Sequence, residues 1–208
     1  YKVLITTMLR KIYLYFVFLL FLVASPLSLA DEQSAKQVVE EFQNQLIAVM
    51  KQGKALGFKG RYEKLDAAVR SSHDLAKIAR IVVSKQWEEL SADQQAKLES
   101  VFSKLSVSAY AHNFKDYSGE SFVFLSEEET GRGGVVIHTN LLIPGQKDVK
   151  FDYQMKKKDD GWQIINIIAD GVSDLALKRS EYTSILSRDG FDVLIAKITE
   201  KIDNYAAQ

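Results

Sequence analysis

Val149-Lys150-Phe151-Asp152-Tyr153-Gln154-Met155 alternates without interruption between apolar and polar side chains. A period of two places Val149, Phe151, Tyr153 and Met155 on one face of a strand and wets the other face. Asp159-Asp160-Gly161 follows as a hairpin turn. Trp162 to Ile168 is then nearly all apolar, which reads as a central strand covered on both faces. Working backwards, Val135 to Ile143 is a β-branched run. Gly131-Arg132-Gly133-Gly134 opens it and Pro144-Gly145 closes it. Phe122 to Leu125, after Ser118-Gly119, is strand-like as well. Strands joined in this order by short turns predict an antiparallel meander.

On both sides of the meander the apolar period lengthens to that of a helix. Downstream, Ser173 reads as a helix N-cap. Leu175, Lys178, Arg179 and Tyr182 follow along one helix, with Ile185 and Leu186 further on. Gly190 ends it, and Val193, Leu194, Ile198 and Ile202 mark a last amphipathic helix. Upstream, Val38, Phe42, Leu46, Val49 and Met50 predict a helix from Asp31 to Gly53. Gly53, Gly57 and Gly60 break the pattern, and Tyr62, Leu65 and Val69 suggest a short second helix. Leu75, Ile78, Ile81, Val82, Trp87 and Leu90 form a third apolar stripe. Ser91 with Gln94 is a capping box opening a helix that carries Leu98, Phe102, Leu105, Ala109, Tyr110 and Phe114. Helices, then strands, then helices predict an α+β domain, with helices packed on a curved antiparallel sheet of about four strands.

The first thirty residues read apart from this domain. Arg10 and Lys11 precede an apolar run from Ile12 to Val23, and Ser28 and Ala30 are the small residues of a cleavage site. The expected reading is a secretory signal peptide, starting at Met8 and cut after Ala30, because the run falls short of the ~20 apolar residues of a spanning helix. Residues 31 to 208 are then expected to form a single exported domain, large enough to bury a core. The 208-residue chain has 27 basic and 27 acidic residues. The three basic residues of the leader (Lys2, Arg10 and Lys11) leave 24 beyond it against all 27 acids, a net −3. That balance disfavours a nucleic-acid partner. The chain has no cysteine, which excludes a disulfide framework, a thiol nucleophile and a lipid-modified cysteine.

Catalytic patterns are missing. His73, His112 and His138 lack metal-ligand spacing. Gly171-Val172-Ser173 lacks the second glycine of a nucleophile elbow. Gly131-Arg132-Gly133-Gly134 leads into a strand and lacks the lysine of a phosphate loop. Nothing in the sequence argues for an enzyme, and no cofactor or metal is expected.

Trp162-Gln-Ile-Ile-Asn-Ile-Ile-Ala-Asp-Gly171-Val-Ser173, followed by Arg179, Tyr182, Gly190, Leu194-Ile195 and Lys201, resembles the MlaC/toluene-tolerance family. These proteins are periplasmic auxiliary components of a lipid ABC transport system. Trp87-Glu-Glu-Leu-Ser-Ala-Asp-Gln94, with Phe102 and Tyr110, is similar to the family's central helix pair. The chain departs from the pattern at His73, where the family often has phenylalanine, and at Ser84, where it often has glycine. The segment Ser108-Ala-Tyr110, Phe114, Gly119-Glu120-Ser-Phe122 resembles the branch associated with hopanoid biosynthesis.

The resemblance implies a periplasmic lipid carrier. It would enclose a diacyl phospholipid or a hopanoid-type lipid in an apolar pocket between sheet and helices. Its partners would be an outer-membrane lipoprotein complex and an inner-membrane ABC transporter complex, and a monomer is expected. On that reading Val149, Phe151, Tyr153 and Met155 wall the pocket, with Val135 and Ile137 beside them; the same residues equally suit a filled core. Trp87, Phe102 and Tyr110 are candidate helical lining. Arg179 and Tyr182 match the family's arginine and aromatic positions, where the arginine either meets a phosphate at the mouth or is held in a salt bridge. Two other readings stay open: a small periplasmic lipid-ester hydrolase, and an adaptor with a solid core.

Overall fold

The computed structural model describes residues 33–159 and 161–207. The expected signal peptide lies outside the described residues. The described chain opens with α1 (Ala35–Met50), capped by Ser34 in a reciprocal box: Gln37 N–H donates to Ser34 Oγ at 3.2 Å and Ser34 N–H to Gln37 Oε1 at 2.7 Å. Val38, Phe42, Leu46 and Val49 of its periodic face are buried, as their spacing predicts.

The glycine-rich stretch that follows breaks the helix at one of the three expected positions, Gly57. It is α2 (Gly53–Ser72), and only Gly57 inside it leaves helical geometry, at φ 60° and ψ −178°. The expected helix carrying Tyr62, Leu65 and Val69 is the part of α2 beyond this kink. Gly53 serves packing here. A Cβ at that position would meet the Lys115 carbonyl oxygen at 1.8 Å. Buried Arg61 ties the same region together, donating from Nε to the Ala111 carbonyl at 2.6 Å and from a terminal nitrogen to the Gly53 carbonyl at 2.9 Å.

The third stripe divides into α3 (Leu75–Val83), capped by Asp74, and a 3₁₀ turn over Ser84–Glu89 that buries Trp87. α4 (Ala92–Asn113) carries the predicted capping box of Ser91 and Gln94. After the sheet come α5 (Asp174–Asp189), with Ser173 as N-cap, and α6 (Phe191–Ala206), which opens directly from Gly190. Among the described residues no helix is long and apolar enough to cross a membrane.

Among the described residues the sheet has five strands, one more than expected: β1 (Ser121–Thr130), β2 (Gly134–Leu142), β3 (Val149–Lys158), β4 (Gly161–Ala169) and the two-residue β5 (Val172–Ser173). They pair in chain order and antiparallel throughout. Phe151 lies opposite Thr139 and Ala169, Tyr153 opposite Ile137 and Ile167, and Met155 opposite Val135 and Ile164. These residues share the face that meets the helices.

Two register shifts interrupt the ladder. One inserts Leu125 between Phe124 and Ser126, and the other inserts Ile165 opposite the Gln154–Met155 step. Extra residues of this kind bend and twist a strand, which accounts for the curvature. β4 is covered on both faces as expected, with every residue buried or half-buried and with Ile164 and Asn166 buried on opposite faces. The inserted Ile165 shifts the alternation, so Ile164 and Ile167 reach the inner face on either side of it.

Candidate functional site

An apolar cavity of about 420 Å³ lies where α3, α4 and α5 meet β3 and β4. Leu75 and Ile78 come from α3; Phe102, Ala109, Tyr110 and Phe114 from α4; Phe151 from β3; Ile164 and Ile167 from β4; and Leu175 and Leu177 from α5. Its polar lining includes His73, Asn113, Asp174 and Lys178. Lys178 pairs with Asp174 one turn earlier on α5. Asn166 anchors this end of α5, its carbonyl accepting from Ser173 Oγ at 3.1 Å and from Leu175 N–H at 3.3 Å.

Deeper in, the Tyr110 hydroxyl and His73 Nε2 are 2.9 Å apart. His73 Nδ1 lies 2.8 Å from Ser72 Oγ and 3.1 Å from the Val69 carbonyl. Ser72 gives its one hydroxyl proton to the Ala68 carbonyl at 2.6 Å, so both neighbours of Nδ1 accept. That nitrogen therefore carries the proton, and Nε2 accepts from Tyr110. Burial holds the His73 pKa down to about 4 against the opposing pull of the Val69 carbonyl and of Asp174. Burial also pushes the Tyr110 hydroxyl well above its ordinary range. The pair is neutral, and Phe42 packs edge-on against both rings, with centroids 4.9 and 5.0 Å away.

The structure separates the residues expected at the pocket into three groups. Phe102, Tyr110 and Phe151 line the cavity. Tyr153, Met155, Val135 and Ile137 are on the same sheet face, but they are sealed in the core, with Tyr153 and Met155 each 1% exposed and outside the lining. Trp87 is likewise a core residue, its ring buried under the 3₁₀ turn. Tyr182 belongs to the core too; its hydroxyl has no hydrogen-bond partner among the described residues, and burial raises its pKa. The third group lies apart: Val149 is half-buried where β3 begins, and Arg179 is exposed on α5, away from the lining.

Sequence reasoning missed His73, Ile164, Ile167, Asn113, Asp174 and the inward side of Lys178. The i, i+4 spacing of Asp174 and Lys178 was a usable signal for that pair. The two remaining histidines are elsewhere: His112 stacks on Tyr205, and His138 meets Asp152 on the sheet at 2.7 Å. Among the described residues no group of three or more His, Asp and Glu is placed to hold a metal ion.

A wider groove of about 1000 Å³ runs between α1, α2 and the β3–β4 hairpin. Glu41, Gln45, Lys64 and Lys158 contribute to its lining, which suits water better than hydrocarbon. The smaller cavity is the one whose walls match an apolar ligand. Taking roughly 30 Å³ for each carbon, the share of one water in the liquid, its volume accommodates about 14 carbons, or one acyl chain.

A sequence profile described as MlaC protein matches residues 40–200. The intermembrane phospholipid transport system binding protein MlaC of Haemophilus influenzae is 26% identical over 123 residues, which cover 57% of this chain and 58% of that protein. The match thus spans less than two thirds of the relative's length. A solved structure of a phospholipid-binding protein from Ralstonia solanacearum, in complex with a phospholipid, superimposes with a TM-score of 0.74 at 18% identity, covering 83% of this chain and 99% of that one. At that identity the likeness speaks for the fold.

Proposed function

The chain belongs to the MlaC family, and from that premise we propose that it is a periplasmic carrier that encloses the acyl part of a lipid and moves it between membrane complexes. The observation that carries this reading is the apolar cavity between α3, α4, α5 and the sheet. Exposing a pair of ~16-carbon chains to water costs roughly 25 kcal/mol at ~0.8 kcal/mol per methylene. A carrier lowers that barrier by enclosing the chains and needs no bond-making chemistry to do so.

Phe102, Tyr110 and Phe151, with Ile164 and Leu175, are the proposed acyl contacts. Asn113 and Lys178 are the proposed contacts of a polar headgroup. Two chains need more room than the cavity offers. The helical wall with the least contact to the sheet is α4, whereas α5 is tied to β4 through Asn166. The proposed cargo is a diacyl phospholipid or a hopanoid-type lipid, and the proposed docking partners are an outer-membrane lipoprotein complex and an inner-membrane ABC transporter complex. Residues 1–30 are proposed as the export leader, with the mature chain starting at Asp31.

The test is the lipid content of protein purified from the periplasm, measured by mass spectrometry after denaturation. About one equivalent of intact lipid, unchanged by a chelator, supports the carrier. Cleaved lipid accumulating with added ester substrate supports a hydrolase instead.

A further inference from the structure

The cavity has one feature that hydrocarbon alone does not require. His73 and Tyr110 both line it, and they present a hydrogen-bonded polar pair to an otherwise greasy wall. Because Ser72 Oγ donates its proton to the Ala68 carbonyl, Nδ1 of His73 holds its proton toward Ser72 Oγ and the Val69 carbonyl, Nε2 accepts and Tyr110 donates. The tyrosine proton is thereby committed. The tyrosine oxygen keeps its acceptor lone pairs, and no donor from the described residues is bonded to it. An O–H that already donates makes its oxygen a better acceptor. Tyr110 sits one turn inward of exposed Asn113 on α4, so the free lone pairs are within the acyl region and inward of the mouth.

We propose that the cavity prefers a lipid whose buried chain carries a hydroxyl group, which donates to the Tyr110 oxygen while Tyr110 donates to His73. This inference rests on the lipid-carrier reading and narrows its cargo. An unsubstituted chain is still accepted, because the pair satisfies itself when nothing polar arrives. A hydroxylated chain without such an acceptor would have to bury its hydroxyl unpaired. The preference is therefore a gain of one neutral hydrogen bond, on the order of fivefold in affinity. His73 acts as a positioning residue: it fixes the direction of the Tyr110 proton and so keeps the oxygen in the accepting role.

The test is displacement of a fluorescent fatty acid from the purified protein by stearate and by monohydroxystearates with the hydroxyl near the carboxylate, at mid-chain and near the methyl end. The expected result is that one hydroxylated isomer binds about fivefold more tightly than stearate, and that Tyr110→Phe brings the ratio of the two affinities to one. His73→Phe removes the acceptor and frees the Tyr110 proton, and is expected to extend the preference to the corresponding ketostearate, which can only accept. Equal displacement by stearate and every isomer leaves the carrier reading standing and overturns this inference. So does a preference that survives Tyr110→Phe. Failure of all the chains to displace the probe counts against the carrier reading itself.

Discussion

The backbone N–H of Asp74 donates to the carbonyl of Ile164 at 3.0 Å, and this bond joins the α2–α3 corner to the bulged part of β4. His73 forms a parallel bridge with the same residue. Ile165 is the inserted residue of the bulge, so the neighbouring carbonyl of Ile164 is turned toward a helix corner. The corner in turn sets His73 against Tyr110 and closes the inner end of the cavity. Lys158 reaches the Asp74 carboxylate at 3.1 Å and reinforces the same junction.

His73 makes stability depend on pH. Its folded-state pKa is about 4, below the ~6.5 of an unfolded histidine. Between those values the unfolded chain binds more protons, so this contribution is full above pH ~6.5, declines as pH falls, and has lost about 3 kcal/mol below pH ~4. Denaturant midpoints of the protein and of His73→Phe, measured from neutral to acid pH, are expected to converge as the pH drops. Parallel curves would show that His73 does not titrate in this way.

Ser84 sits at φ 55° and ψ −133°, a backbone conformation that a residue with a β-carbon adopts at a cost of ~1–3 kcal/mol. Ser84→Gly is expected to stabilise the protein by about 1 kcal/mol after allowing for the greater freedom of glycine in the unfolded chain. In a domain of this size that raises Tm by roughly 2–4 °C. A lower Tm would contradict the strain.

Arg61 is 5% exposed and bonds two backbone carbonyls that have left the reach of water, at Ala111 near the C-terminus of α4 and at Gly53 where α2 begins. Arg61→Met keeps much of the stem and removes the fork, leaving those acceptors unpaired. A loss of about 3 kcal/mol in urea unfolding is expected. Arg61→Lys is expected to recover only part of it, since one ammonium does not match the two directions of the guanidinium.

Phe151 and Tyr153 share a face of β3 but differ in what lies beyond the ring. Phe151 borders the cavity, whereas Tyr153 is 1% exposed in the core. Phe151→Asp is expected to fold and lose its lipid, because water can enter the cavity to solvate the charge. Tyr153→Asp places a charge where water cannot follow and is expected to cost several kcal/mol, enough to threaten the fold. Thermal melting and lipid content on the same samples separate the two outcomes. If both variants unfold, Phe151 is core as well.

That contrast marks how far the sequence could be read. Alternation along Val149–Met155 identified the inward face, because a period of two is a property of the strand itself. The caps at Ser91 and Ser173 were equally local. Depth behind the face was not legible: whether Phe151 or Tyr153 meets empty space depends on which helices arrive there. The packing role of Gly53 was not legible either, because its close approach to Lys115 joins residues 62 positions apart. The Ile165 insertion hid inside an apolar run that looked uniform, and the pairing of His73 was not legible because its partner Tyr110 lies on another helix.

Native mass spectrometry of the protein isolated from the periplasm, followed by denaturation and identification of what is released, tests the enclosed lipid most directly. The expected mass exceeds that of the polypeptide by about one lipid, released intact on unfolding and absent from Phe151→Asp. A bare polypeptide mass from the unaltered protein, with no uptake of lipid from added vesicles, would contradict the carrier reading.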